Sequence, residues 1–302
     1  MISINTIPCS HWRIFFIAAF LLLFQWHYSN AQIFTKITSG DVVNTPSDSR
    51  SVNWIDYDND SFLDLMITNG PEQGENNMLY HNNGDGTFTS ILDQPLVNDN
   101  LPSDGSTWAD YDNDGDPDCF VVNWYNDNNL FYINEGDGNF TQVTDQIIVT
   151  DHGYSETASW GDYDSDGLVD LYVSNSEGQK KNFMYHNNGD GTFTKITTGT
   201  PVTDPYYTRS VNWTDYDNDG DVDLFVTNEN SQDENLYRND GNGLFTKITL
   251  GDLVNDEGNT MSSSWGDYDN DGDQDLFITS TRGGNLLYQN RGDGTFADVT
   301  QT

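Results

Sequence analysis

The sequence repeats itself five times, and a tryptophan opens each repeat. Trp54, Trp108, Trp160, Trp213 and Trp265 follow one another at intervals of 54, 52, 53 and 52 residues. Each begins a similar string, such as "WTDYDND" or "WGDYDND", and a second shared string, such as "LYHNNGDGTF", comes later in the repeat. Repeats of this length predict an array of equivalent modules, each packed against its neighbours.

Within each module the residue pattern predicts β-strands. Segments such as "DLFVTN" and "DLYVSN" are short, rich in Val, Phe and Tyr, and bounded by turn residues. Four strands are predicted per module, which in the first module are "RSVNW", "LDLMIT", "NMLYHN" and "TFTSI". Four short antiparallel strands repeated radially predict an all-β protein, a β-propeller of five four-stranded blades. The alternative is part of a larger propeller, for example a seven-bladed one.

The string of the outermost strand occurs six times, although the strings of the other three strands occur five times. The extra copy comes from the termini, because "IFTKIT" at residues 33–38 precedes the first module and "TFADVT" ends the last one. One terminal copy is therefore redundant in a five-bladed ring, and the sequence leaves open which one.

The N-terminal residues predict an export signal. Arg13 precedes the apolar run "IFFIAAFLLLF" at residues 14–24, which is shorter than the roughly twenty residues that span a bilayer. Ser29 and Ala31 then supply small residues at positions −3 and −1 of a cleavage site. We predict a signal peptide at residues 1–31, cleaved after Ala31, and a single propeller domain at residues 32–302. The protein would be secreted or lie at the cell surface, with a retained membrane anchor as the alternative.

The charge balance excludes nucleic acid as a partner. The chain has 11 Lys and Arg against 49 Asp and Glu, a formal net charge of −38, whereas phosphates require a basic surface. Its 13% aromatic content argues against an acidic disordered chain. Once the signal peptide is removed, Cys119 is the only cysteine, so no internal disulfide can stabilise the exported chain.

The aspartates of each module predict a metal site. In the fourth module Asp215, Asp217 and Asp219 occupy positions 1, 3 and 5 of a loop, Gly220 position 6 and Asp223 position 9. Alternate residues of a tight loop direct their carboxylates to one centre, and the glycine permits the bend. A cage of six or more oxygen ligands suits calcium better than zinc or magnesium. A calcium ion would cancel the repulsion between the aspartates.

All five modules keep these four aspartates, which predicts about five calcium ions, one per repeat, in a structural role. The predicted ligands are Asp56, Asp58, Asp60, Asp64, Asp110, Asp112, Asp114, Asp118, Asp162, Asp164, Asp166, Asp170, Asp215, Asp217, Asp219, Asp223, Asp267, Asp269, Asp271 and Asp275. An EF-hand is excluded, because its position 12 needs Glu and this chain has Ile or Val there in every copy. Position 6 is Ser61 in the first loop, so that site is expected to be the most strained and the weakest.

These two strings carry a family resemblance. "DYDNDGDVDL" after a tryptophan, followed by "LYHNNGDGTF"-like strings, resembles the FG-GAP/VCBS repeats of integrin α-subunit propellers and bacterial exported proteins. The second string is similar to that of the cartilage acidic protein and ASPIC/UnbV-type relatives. The resemblance covers nearly all of residues 33–302. It implies a calcium ion in the loop that joins the first two strands of each blade, whereas integrin-type propellers usually have seven blades.

No motif assigns a catalytic residue. Nucleophile-elbow, zinc-protease and phosphate-loop motifs do not occur after residue 31. His81 and His186 share one register and are expected to point outward from different blades. The favoured function is a secreted binding or adhesion module for an extracellular protein or glycan. The alternative is a carbohydrate-active enzyme of the polysaccharide lyase type.

The segments before the predicted inner strands vary most between modules. They precede the strand that the acidic loop follows, so they are expected at the opposite face of the propeller. Aromatic and Arg side chains in exposed loops are typical contact residues. The candidate ligand-binding residues are Arg50, His152, Tyr154, Tyr206, Tyr207 and Arg209.

Overall fold

The computed structural model describes residues 35–256 and 258–300. These residues form five sheets of four antiparallel strands each, arranged as the blades of a β-propeller. All the strands belong to a unit that starts at Gly40, and residues 35–39 form no strand. The predicted signal peptide, residues 1–31, lies outside the described residues. Within them, no helix is long and apolar enough to span a membrane.

The strands of each blade pair in chain order, from the innermost to the outermost. Blade 1 contains β1 (Ser49–Ile55), β2 (Asp64–Asn69), β3 (Met78–Asn82) and β4 (Phe88–Ile91). Blade 2 contains β5 (Ser103–Ala109), β6 (Asp118–Asn123), β7 (Leu130–Asn134) and β8 (Phe140–Val143). Blade 3 contains β9 (Ser155–Gly161), β10 (Asp170–Asn175), β11 (Phe183–Asn187) and β12 (Phe193–Lys195).

Blade 4 contains β13 (Thr208–Thr214), β14 (Asp223–Asn228), β15 (Asn235–Asn239) and β16 (Phe245–Lys247). Blade 5 contains β17 (Thr260–Gly266), β18 (Asp275–Ser280), β19 (Leu286–Asn290) and β20 (Phe296–Asp298). The four strands predicted per module are thus confirmed. Of the two terminal copies of the outer-strand string, the C-terminal one forms β20, and the described residues 35–38 of the other form no strand.

A short helical turn precedes each blade and packs against the outermost strand of that blade. Two of these turns are α-helical, α1 (Asp41–Asn44) and α2 (Thr200–Thr203). Three are 3₁₀ turns, at Pro95–Val97, Ile147–Val149 and Asp252–Val254. The four turns that lie between blades bury apolar side chains, so they fix the connections between consecutive blades.

Adjacent blades share an aromatic contact that is repeated along the chain. In blades 1 to 4 the Tyr of the acidic loop lies against the Phe that begins the outermost strand of the next blade. The ring centroids of Tyr57 and Phe140 are 6.0 Å apart, and those of Tyr111 and Phe193 are 5.8 Å apart. The same Phe contacts the Trp of its own blade, as Phe140 does with Trp108 at 5.9 Å. Such aromatic pairs each contribute about 0.5–1.5 kcal/mol beyond burial, which explains why the two strings repeat together.

A backbone-directed hydrogen bond reinforces the same interface. Asn134, at the end of β7, donates its side-chain N–H to the backbone oxygen of Tyr57 at 2.7 Å. Gly138, in the turn that follows, has a φ of 73°, and a Cβ there would lie 2.6 Å from the Tyr57 ring. Asn187, Asn239 and Asn290 donate the corresponding bond to the preceding blade. The glycine is needed because the tyrosine of the preceding loop occupies its side-chain space.

The described residues form four interfaces between five blades. Each interface has its own hydrophobic core, and none of these cores joins blade 5 to blade 1. Accordingly, Trp54 of blade 1 is 57% exposed and Tyr268 of blade 5 is 50% exposed, although their equivalents are more buried. Asn82, the blade 1 counterpart of Asn134, donates its side-chain N–H to the backbone oxygen of Leu63 in its own blade rather than to another blade.

One buried position changes its chemistry between blades. Asn77, Asn129 and Asn182 stand directly before the third strand of blades 1 to 3, and each accepts a backbone N–H from the end of the second strand. Glu234 takes this place in blade 4, where it is 1% exposed and accepts a hydrogen bond from Thr260. Burial, followed by the hydrogen bond and charge of a neighbouring aspartate, raises the pKa of Glu234 to about 9.

Replacing Glu234 with Asn, its counterpart in the other blades, should make the protein more stable at high pH. A carboxyl group whose pKa rises from 4.5 to about 9 on folding stabilises the folded state below pH 4.5. That contribution is lost as the pH rises through 9. Between pH 5 and pH 9 the wild-type melting temperature should therefore fall by about 5 °C more than that of Glu234→Asn. The exposed control Glu72→Asn should follow wild type, and identical profiles for all three proteins would contradict the prediction.

Candidate functional site

Each acidic loop joins the first two strands of its blade and is held together by its first aspartate. In blade 2 the two carboxylate oxygens of Asp110 accept the backbone N–H groups of Asp114 and Gly115, both at 3.0 Å. The same two bonds recur in the other four loops. The position 1 aspartate thus closes the loop, which places the carboxylates of positions 3 and 5 on its inner side.

The position 9 aspartate is buried and connects the loop to the rest of the blade. Asp118 is 1% exposed, and its Oδ2 accepts the N–H of Tyr111 at 3.1 Å. Its Oδ1 accepts the N–H of Asn134 at 2.8 Å. All five position 9 aspartates accept this pair of bonds. Since Asn134 and its counterparts in blades 3 to 5 also bond the preceding blade, each of these four loops is coupled to a blade interface.

The carboxylates of a loop converge on one centre. Asp110, Asp112 and Asp118 each offer an oxygen atom, and these atoms lie within 4.8 Å of one another. The position 3 aspartates Asp58 and Asp164 have a buried Oδ1 without a hydrogen-bond partner, as does Asp217. Buried polar oxygen atoms normally have a partner. The donor set, with several carboxylate oxygens close together and, in three blades, an unsatisfied oxygen on the position 3 aspartate, fits a hard divalent cation.

The electrostatics of the loops indicate excess negative charge. Burial raises the pKa of Asp118 to about 7, and the Asp112 and Asp114 carboxylates raise it further against the lowering effect of two backbone hydrogen bonds. Burial likewise raises the pKa of Asp64 to about 6. The pKa of Asp112 rises because of burial and the neighbouring Asp114. A cation in the centre would reverse these shifts, because it stabilises the charged carboxylates.

Two histidines at the loops were missed as site residues. Nδ1 of His81 lies 3.1 Å from Asp58 Oδ2 and 3.3 Å from Asp64 Oδ1. Nδ1 of His186 lies 3.3 Å from Asp164 Oδ2. Both histidines were expected to point outward from their blades, yet each ring contacts the acidic loop of its own blade. The available signal was their position directly before the Asn that bonds the position 9 aspartate.

A cavity of about 500 Å³ lies beside blades 2 and 3. It is at the end of their inner strands that is far from the acidic loops. It is lined by His152 and Tyr154 together with Lys180, Phe183 and Lys195. With Lys181, three of the eleven Lys and Arg residues of the chain line this cavity. Asp151, which accepts a hydrogen bond from Lys195 at 2.6 Å, and Glu177 also line it, so the cavity has three basic and two acidic side chains in a protein with a net charge of −38. The structure thus brings His152 and Tyr154, two of the predicted ligand-binding residues, to one cavity.

The other predicted tyrosines lie beside lysines. The Nζ atom of Lys180 is 3.6 Å from the ring centroid of Tyr207, a cation–π contact. Tyr206 accepts a hydrogen bond from Lys247 at 3.0 Å. Tyr207 is therefore connected to the cavity through Lys180, whereas Tyr206 belongs to a separate contact.

The two predicted arginines form ion pairs on the inner strands. Arg209 donates to Glu156 at 2.5 Å, and the Nε of Arg50 lies 3.6 Å from Asp104. Burial of Glu156 raises its pKa to about 7 in spite of Arg209. Neither arginine lines the cavity, and acidic neighbours compensate the charge of both.

The repeat family matches this architecture. The FG-GAP-like repeat matches residues 56–121, 110–173, 162–226, 215–278 and 267–302, so that every match contains one or two acidic loops. The chain belongs to the FG-GAP-like repeat family. The resemblance inferred from the sequence is confirmed.

Curated relatives of this FG-GAP-like repeat protein include cartilage acidic protein 1 from Homo sapiens and Mus musculus. The human protein is 26% identical over 170 residues, which is 54% of this chain and 26% of the relative. The mouse protein is 28% identical over 176 residues, again 54% of this chain and 26% of the relative. The aligned part thus spans about a quarter of the length of these relatives.

Solved structures share the fold at low sequence identity. One describes specific recognition of non-reducing terminal N-acetylglucosamine by a lectin from Agrocybe aegerita. It has a TM-score of 0.60 and 19% identity, and the match covers 85% of this chain and 67% of that chain. A Lactobacillus plantarum protein has a TM-score of 0.53 and 13% identity, with 82% and 69% covered.

Replacing Ser61 with Gly should stabilise the first FG-GAP-like loop. Ser61 has a φ of 75°, where the other four loops have glycine, and an L-residue in this region costs about 1–2 kcal/mol. The variant should raise the free energy of unfolding by about 1 kcal/mol, measured by urea denaturation at constant calcium. The converse change, Gly115→Ser, meets open space at its Cβ and should cost a similar amount. If Ser61→Gly has a lower free energy of unfolding than wild type, the serine backbone is not strained.

Proposed function

We propose that this FG-GAP-like repeat protein is exported and holds about five calcium ions, one in each acidic loop, in a structural role. The observation that carries the calcium assignment is the buried, unpartnered Oδ1 of Asp58, Asp164 and Asp217, the position 3 aspartates of three acidic loops. Export is supported by the predicted signal peptide and by the similarity to cartilage acidic protein 1.

A structural role follows from what the loops touch. The position 9 aspartate bonds an Asn that also bonds the preceding blade, so an ion that orders the loop also orders the interface. A metal that binds only the folded state adds its binding free energy to stability. Extracellular calcium modules bind with Kd values of about 10⁻⁴–10⁻³ M. The fold would therefore be most stable where calcium is abundant, outside the cell.

We further propose that the protein is a binding module and that a glycan occupies the cavity beside His152 and Tyr154. An aromatic ring with nearby hydrogen-bond donors suits a sugar, because the ring packs on its apolar face while the donors bind its hydroxyl groups. Lys180, which packs on the Tyr207 ring rather than against a carboxylate, favours sugars that carry negative charge. A lectin among the structural neighbours has the same fold, which supports a glycan over a protein ligand.

A glycan array probed with the secreted protein in calcium tests this function. Wild type should retain a set of glycans, with acidic ones favoured, and the double variant His152→Gln/Lys180→Gln should bind them about tenfold more weakly. EDTA should abolish retention, and added calcium should restore it, because the cavity lies on blades whose loops hold the ions.

The matched control is Lys36→Gln, which makes the same charge change at an exposed residue that does not line the cavity. It should bind glycans as wild type does. If no glycan is retained, or if Lys36→Gln loses as much binding as the cavity variant, the cavity is not a glycan site.

A further inference from the structure

The five acidic loops are not chemically equal. One residue of the third strand faces the loop in each blade, and it is His81, Ile133, His186, Arg238 or Gln289 in blades 1 to 5. In blade 4 the Arg238 guanidinium pairs with Asp240, and in blade 5 the Gln289 amide donates to Asp269. Only blades 1 and 3 therefore place an imidazole nitrogen beside the carboxylates.

Both imidazoles approach the same two ligand positions. Nδ1 of His186 lies 3.3 Å from the position 3 oxygen of Asp164 and 3.2 Å from the position 9 oxygen of Asp170. The corresponding distances at His81 are 3.1 and 3.3 Å. The arrangement thus arises independently in two blades that are separated by a blade with Ile133 in the same place.

The direction of the nitrogen distinguishes these contacts from ordinary hydrogen bonds. Nδ1 of His81 and Nδ1 of His186 are buried and form no N–H···O hydrogen bond, although carboxylate oxygens lie close on two sides. The Oδ1 atoms of Asp58 and Asp164 are buried and unpartnered in the same two sites. Each site therefore has an unsatisfied nitrogen on its histidine and an unsatisfied oxygen on the position 3 aspartate that this histidine contacts through its other oxygen.

The distances fit a shared coordination sphere. Nitrogen and oxygen ligands lie about 2.0–2.2 Å from a zinc-class ion, which puts neighbouring ligand atoms roughly 3.0–3.4 Å apart in octahedral or tetrahedral geometry. The four Nδ1–oxygen distances of 3.1 to 3.3 Å fall in this range. Imidazole nitrogen is a good ligand for first-row transition metals, whereas calcium takes oxygen ligands.

We propose that the loops of blades 1 and 3 are sites for a divalent transition-metal ion of the zinc class, bound by an imidazole and carboxylates. The loops of blades 2, 4 and 5 remain all-oxygen sites. This inference rests on the proposed function, in that the acidic loops hold divalent cations. It divides the five proposed calcium loops into two classes: those of blades 1 and 3 take a zinc-class ion in preference to calcium where one is available, and the other three take calcium.

Equilibrium dialysis of the full protein against Co²⁺, with calcium in excess, tests the proposal. Wild type should bind two Co²⁺ per chain, with visible absorption that Zn²⁺ removes by competition. His81→Gln and His186→Gln should each bind one, and the double variant should bind Co²⁺ at least about tenfold more weakly, as loss of a group that supports a metal site does. Glutamine is a matched replacement because Gln289 occupies this position in blade 5.

Two further variants sharpen the test. Gln289→His places an imidazole at the loop of blade 5 and should add a third Co²⁺ site, whereas Ile133→Gln should add none. If the double variant binds as much Co²⁺ as wild type, or if wild type binds no Co²⁺ in the presence of calcium, the histidines only form ion pairs with the aspartates and the proposal is wrong.

The outcome is separable from that of the proposed function. Calcium should still raise the melting temperature of the double variant, because three loops are unchanged. Calcium stabilisation without a Co²⁺ preference would overturn this inference alone. Two Co²⁺ sites in a protein that calcium does not stabilise would support this inference and overturn the structural calcium assignment.

Discussion

The repulsion between clustered carboxylates is the constraint on which the rest of the structure depends. Each loop gathers four aspartates, and backbone N–H groups compensate only those at positions 1 and 9 fully. The position 3 carboxylates retain a buried, unpartnered oxygen in three blades. The fold therefore brings negative charge together in advance of a cation, while burial, and to a smaller extent the Asp112 and Asp114 carboxylates, raises the pKa of Asp118. A divalent ion in each of the five loops would neutralise this carboxylate charge.

The same loops also build the propeller. The tyrosine at position 2 lies on the phenylalanine of the next blade, and its backbone oxygen accepts an Asn side chain from that blade. Loop order and blade stacking are thus properties of one set of residues, which explains why the two strings vary together along the chain. It also explains why Tyr268 of blade 5 and Trp54 of blade 1 are exposed. Among the described residues, no further blade packs against either of them. The structure describes one cysteine, Cys119, which is free, and we propose that ions that order these loops take over the role of a covalent cross-link.

Much of this architecture could be predicted from the sequence, because it is local. The strand-like spacing of Val, Phe and Tyr predicts the four strands of each blade, and the spacing of the aspartates predicts the position of the loops. The cavity could not be predicted, since its lining combines segments of blade 3 that are distant in sequence, such as Tyr154 and Lys180, with Asn126 of blade 2 and Val202 of the turn before blade 4. The ion pairs of Arg50 and Arg209 depend on acidic residues of adjacent inner strands. The role of His81 depends on strand pairing that brings the third strand back to the loop, which spacing along the chain does not show.

The central claim is that ions in the aspartate loops hold the propeller together, and thermal unfolding with and without EDTA tests it most directly. The account predicts that chelation lowers the melting temperature by about 10 °C or more, and that calcium restores it while magnesium does not. Metal analysis of the same sample shows whether the chelator has removed the ions. An unchanged melting temperature in a sample free of metal would contradict the account.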